Sequence, residues 1–265
     1  MKFIYTYCLV VLSFYSFSQF NDVTYDLNCS NNTLEEQTIS FFSSIEKSTL
    51  SSFGSIVSIE EEINEGKHFF ELVKIEYSLD ENVSKNSNLN EILKSLVRNL
   101  PNGNTYNYSV HLVKSKELNA FTLGGYIYIT NGMYDFCKSN NQIALIIAHE
   151  IAHNELKHIN EELKRIKSLQ NVFGDKTGNI ISSVGKLAII SFNQPNEVYS
   201  DMYGVDLLQI SNYSICEAIT IWKQLNETLG NNEEIPLVFS SHPYSLTRYN
   251  CLLNHINENY QINCK

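Results

Sequence analysis

Gln142-Ile143-Ala144-Leu145-Ile146-Ile147-Ala148-His149-Glu150-Ile151-Ala152-His153-Asn154-Glu155-Leu156-Lys157-His158 is the stretch from which the rest of the chain is read. The apolar run from Ile143 to Ala148 leads into two histidines and a glutamate spaced HExxH, as expected for a buried helix. At about 100° per residue, His149 and His153 lie about 40° apart on one face, so both imidazoles can reach a single ion. Glu150 is offset by about 100° and flanks that ion, where it can take a proton from water that zinc has acidified. His158 falls on the far side of a continuous helix and cannot share the ion without a helix break, so it reads as structural. His68, His111 and His255 have no ligand spacing and read the same way.

A third ligand is available further along. In Glu197-Val198-Tyr199-Ser200-Asp201 the two acids stand at i and i+4 of an expected helix, Asn196 to Ile210. Glu197 can complete a His2Glu zinc site while Asp201 fixes a histidine tautomer from behind. Gly204 continues that face and would let the two helices approach closely. Beyond it, Ser240-Ser241-His242-Pro243-Tyr244-Ser245-Leu246-Thr247-Arg248 combines a loop histidine with an arginine. His242 can stabilise a tetrahedral oxyanion or cap the open zinc position of a latent site. Arg248 can share the oxyanion role, orient His242, bind a carboxylate, or pair with an acidic neighbour.

Working outward, helices are expected from Ile59, at Leu89 to Leu100, at Gln142 to Lys167, at Ile180 to Phe192 and at Ile215 to Leu229. Strands are expected at Tyr108 to Val113 and at Tyr126 to Thr130, the second entered through Gly124-Gly125. The pattern is α+β: a mainly helical body with a small antiparallel sheet beside the HExxH helix. No repeat is visible.

Composition limits the function classes. The net charge is −10 with no basic stripe, which argues against nucleic acid as a partner. Met1-Lys2 followed by an apolar run closing at Ser16-Phe17-Ser18 has the layout of a secretory signal. Residues 1–18 are therefore expected to direct export to a periplasm or the cell exterior, with 19–58 as an N-terminal extension and 59–265 as the metallopeptidase domain. The extension is expected to pack partly or not at all. No segment is long and apolar enough to predict a membrane span in the mature chain. Five cysteines remain after such a signal, an odd number, and their scattered spacing does not support thiolate zinc ligation.

Several motifs in order carry a resemblance to metallopeptidase family 48, the gluzincin zinc peptidases. They are EEEINEGK, NAFTLGGYIYITNGM, HEIAHNELKH, EVYSDMYGVDLL and SHPYSLTR, between Ile59 and the C-terminus. The resemblance implies a zincin-like endopeptidase fold with one zinc ion held by His149, His153 and Glu197, and with Glu150 as the base. It also implies that Gly125, Tyr126, Ile127, Tyr128 and Ile129 form an edge strand to which an extended polypeptide substrate adds. His242 matches the family's loop histidine. Ser200 stands where the family has alanine, and Asn212-Tyr213-Ser214-Ile215 replaces its usual turn, so local packing departs from the pattern. The expected function is zinc-dependent hydrolysis of exported or envelope proteins. The competing expectation is a chaperone-like envelope assembly factor with a zinc site, a protein partner in the envelope and little proteolysis.

Overall fold

The computed structural model of the chain describes residues 23–26, 29, 56–101, 105–173, 194–229 and 246–264. Two helices come first, α1 (Ile59–Glu76) and α2 (Val83–Val97), followed by the strands β1 (Ser109–Val113), β2 (Ala120–Leu123) and β3 (Tyr126–Thr130). The helices α3 (Asn131–Phe136), α4 (Asn140–Glu155), α5 (His158–Phe173), α6 (Gln194–Ile210), α7 (Ile215–Ala218), α8 (Thr220–Leu229) and α9 (Leu246–Tyr260) complete the described body. Among these residues no helix is long and apolar enough to cross a membrane. The expected helix at Ile180 to Phe192 lies outside the described residues, as do the apolar N-terminal run and His242.

The α+β class holds, but the sheet is mixed rather than purely antiparallel. Its order is β1-β3-β2, with β1 parallel and β2 antiparallel to β3. The reason is the glycine pair. Gly124 and Gly125 adopt φ of 58° and 89°, a left-handed turn that side chains resist, so Ala120–Leu123 folds back tightly on Tyr126–Thr130. That hairpin fills one side of β3 and leaves its other side to β1.

Alternation along the strands splits the interior in two. Val110, Leu112, Ala120, Ile127 and Ile129 join the larger core with α2, α4 and α6. Phe121, Leu123 and Tyr128 face the opposite way, onto Phe69 and Val73 of α1 and Ile159 and Leu163 of α5. The sheet is thus covered on both faces. Every side chain from Gln142 to Asn154 is buried, so α4 runs through the interior. Its first turn is capped by Ser139, whose side chain accepts from the Gln142 amide.

One long helix was expected from Gln142 to Lys167, yet the chain breaks at Leu156-Lys157. Lys157 takes φ 65°, ending α4 in a left-handed residue, and its ammonium sits 4.8 Å over the Tyr106 ring. The expected helix at Ile215 to Leu229 is likewise divided, into α7 and α8. Part of the N-terminal extension is tied down: Tyr25 stacks on Tyr199 of α6 and donates to Asp206 at 2.6 Å. Cys29 is disulfide-bonded to Cys251 of α9, Cys216 is bonded to Cys264, and Cys137 is a free thiol.

Candidate metal centre

His149 and His153 project from one face of α4 with their Nε2 atoms 3.0 Å apart. From α6, Glu197 brings Oε2 to 3.5 Å from His149 Nε2 and Oε1 to 3.3 Å from His153 Nε2. One ligand atom from each of the three lies within 4.8 Å of the others, and all three residues are buried. Two imidazole nitrogens and a carboxylate oxygen converging in a buried space form a donor set suited to a divalent metal, with zinc the usual occupant of such N2O sets. A Cβ added to Gly204 would stand 3.4 Å from the His149 backbone nitrogen and 3.6 Å from the Ala148 carbonyl carbon, ordinary van der Waals contact, so α6 packs against the metal-bearing helix there without requiring a glycine.

Charge behind the cluster is arranged in a chain. Asp201 Oδ1 stands 2.9 Å from His149 Nδ1, which directs the other ring nitrogen toward Glu197. Arg248 of α9 donates from Nε and Nη2 to Asp201 at 2.7 and 2.8 Å, and its Nη1 lies 2.7 Å from Glu197 Oε2. The guanidinium is stacked 4.7 Å from the Trp222 ring centre and is 0% exposed. Burial works to raise the Asp201 pKa, and Arg248 and His149 outweigh it, holding the carboxyl below its ordinary range. Burial also opposes protonation of His149, but Asp201 and Glu197 outweigh it and push that imidazole up to about 10.

Of the roles open to Arg248, this placement is that of pairing with acidic neighbours. A buried guanidinium whose donors face two carboxylates is positioned to orient the cluster from behind. The substrate-strand expectation changes. Tyr126, Ile127 and Tyr128 lie in β3, the central strand, paired on both sides, and Gly125 lies in the turn before it. Among the described residues, the edge of the sheet that lies against α4 is β2 instead.

Glu150 follows His149 on α4 and is 2% exposed. His158 gains a neighbour through the helix break: its Nδ1 lies 3.2 Å from His153 Nδ1 and 3.2 Å from Ser200 Oγ. Burial lowers its pKa to about 4, so it is neutral at physiological pH. The unusual Ser200 therefore has a partner. Asn154, not singled out in the sequence, bonds both α4 and the β2–β3 hairpin.

An HExxH helix joined by a carboxylate from a second helix, beside a small sheet, defines the zincin-like class. Residues 83–256, well over half of the chain, match the model of peptidase family M48, and the chain belongs to that family. It is 23% identical over 225 residues to the beta-barrel assembly-enhancing protease of Escherichia coli O157:H7, an alignment covering 78% of this chain and 46% of the relative. It is 23% identical over 150 residues to the mitochondrial metalloendopeptidase OMA1 of Schizosaccharomyces pombe, covering 53% and 44%. The OMA1 metalloendopeptidase of Bos taurus is 24% identical over 210 residues, covering 67% and 40%. The chain thus spans less than half the length of these curated relatives.

Proposed function

We propose that this chain is a zinc-dependent endopeptidase acting on exported or envelope polypeptides, with residues 59–265 as its catalytic domain. The observation that carries the reading is the convergence of His149, His153 and Glu197 within 4.8 Å, with Glu150 adjacent on the same helix. His149, His153 and Glu197 would hold the ion, which when bound supplies Lewis acidity to a carbonyl and to water. The Glu150 carboxylate accepts a proton from the attacking water and returns it to the leaving amide nitrogen, so one peptide bond and one water become an acid and an amine. Asp201 holds the His149 tautomer, and Arg248 orients both carboxylates while holding the Asp201 carboxyl below its ordinary range. From the sequence, His242 is assigned the role of oxyanion donor or of cap of a latent site.

The substrate adds as a strand to β2, whose second side pairs with no strand among the described residues. Backbone hydrogen bonds made there tolerate many side chains, which suits a peptidase of unfolded or misassembled chains. Export rests on the N-terminal apolar run and is supported by two disulfides, which persist in oxidising compartments. One relative's name couples assembly with proteolysis, and this favours a second reading: an envelope assembly factor that keeps the metal and cleaves little.

The test is metal removal and return. The purified chain should contain one zinc, cleave casein or a peptide library, lose that activity on chelation and regain it on zinc addition. A protein that binds no zinc would sink the proposal. Bound zinc without cleavage of any polypeptide would favour the assembly factor.

A further inference from the structure

A single side chain joins the metal-bearing helix to the β2–β3 hairpin. Asn154 follows the second histidine of the motif and is 0% exposed. Its Nδ2 donates to Thr122 Oγ1 of β2 at 2.8 Å and to the Glu150 carbonyl at 2.8 Å. Its Oδ1 accepts from the Gly125 amide in the hairpin turn at 3.1 Å. Thr122 Oγ1 passes the chain on, donating to the Tyr126 carbonyl at 3.0 Å. Both amide hydrogens and the amide oxygen are therefore used.

Such a residue is out of place for helix formation or core packing alone. Asparagine is a poorer helix former than alanine by up to about 0.7 kcal/mol, and a buried amide costs free energy unless it is hydrogen-bonded. Its neighbours in α4, from Ile143 to Ala152, are mostly alanine, isoleucine and leucine. The tie to the hairpin offsets both costs. It also connects the backbone of the residue proposed as base to the strand proposed to take the substrate.

We propose that Asn154 is a positioning residue for proteolysis. It fixes the register and separation of β2 relative to α4, so that a substrate strand added to β2 presents its scissile carbonyl to the cluster of His149, His153 and Glu197. This rests on the peptidase reading above. A displacement of about 1 Å between reacting groups can lower a rate roughly a hundredfold, whereas backbone pairing along a strand tolerates it better. The loss falls on kcat more than on KM.

The test compares the full chain with Asn154→Leu, Thr122→Val and the double variant, measuring zinc content, kcat and KM on an extended peptide, and kcat on a short peptide that cannot pair along β2. Zinc content should stay at the level of the unaltered chain. On the extended peptide, kcat should fall about a hundredfold for Asn154→Leu and about tenfold for Thr122→Val. The double variant should lose less than the product of the two single losses, because the two groups share one bond. The short peptide should lose far less. If Asn154→Leu does not fold, Thr122→Val, isosteric and suited to a strand, carries the comparison. Unchanged kcat, loss of zinc, or equal losses on both peptides would each overturn the positioning role while leaving the peptidase reading intact. Failure of the unaltered chain to cleave either peptide would overturn both.

Discussion

Arg248 holds two carboxylates at once, and that makes it the residue on which the geometry of the cluster depends. Its contacts with Asp201 and Glu197 are fully buried, so removing the guanidinium leaves two buried carboxylates sharing one counter-charge, the His149 imidazolium. Arg248→Met should lower the stability of the metal-free chain by about 3–5 kcal/mol, read as an earlier unfolding midpoint in urea, with zinc recovering part of the loss. His149 makes a second prediction. With its metal-free pKa pushed up to about 10 by Asp201 and Glu197, it carries a proton at pH 7 that a metal must displace. Zinc affinity should therefore rise with pH up to that value. Calorimetry in two buffers of different ionisation enthalpy should report a proton released near neutrality; no release would contradict the charge on His149. Of these residues, His149, His153, Glu197 and Asp201 were legible from spacing alone, because each pair lies one helical turn apart. The partners of Arg248 were not, since it meets Asp201 across 47 positions and no local period records such a contact.

At the scale of elements, α1 crosses the hairpin turn with backbone against backbone. A Cβ on Gly66 would stand 2.7 Å from the Leu123 carbonyl oxygen and 3.0 Å from Gly124 Cα. Both neighbours are backbone, so neither can swing aside. Gly66→Ala should destabilise the chain by about 1–3 kcal/mol and lower its melting temperature, whereas an unchanged melting temperature would mean that α1 shifts freely on the sheet. The helices α4 and α6 were readable because their apolar runs and acid spacing are long and regular. The buried face of α1 was not: it carries Glu62, Glu65 and Gly66, and Glu62 is kept there by Asn160, whose Nδ2 donates to it at 3.0 Å. The strand β2 was missed because four residues, buried on both faces, show no alternation. The resemblance places the sheet edge on Gly125 to Ile129, a position that β2 takes among the described residues. The break at Lys157 escaped notice because a lysine, not a glycine, takes the left-handed conformation.

Across the whole molecule, the described N-terminal residues and α9 act as a strap over the metal-bearing region. Tyr25, Tyr260 and His255 all meet Asp206 of α6, at 2.6, 2.6 and 2.7 Å, while the Cys29–Cys251 disulfide closes a separation of 222 residues. Cys251 lies one helical turn from Arg248. Replacing both cysteines with serine should cost about 2–5 kcal/mol and lower the thermal midpoint measurably; an unshifted midpoint would show that the strap contributes nothing to stability. The α+β class followed from the order of periodic segments, but the cysteine pairing had no local signature, and only the fold brings residues 29 and 251 together. The central claim is that this fold places Glu150 to move a proton beside a metal-holding cluster, and its most direct test is one isosteric substitution. Cleavage of a peptide library by the unaltered chain and by Glu150→Gln, with bound zinc measured in both, should show equal zinc and a rate lower by about 10²–10⁴-fold in the variant. Equal zinc and equal cleavage would contradict the account.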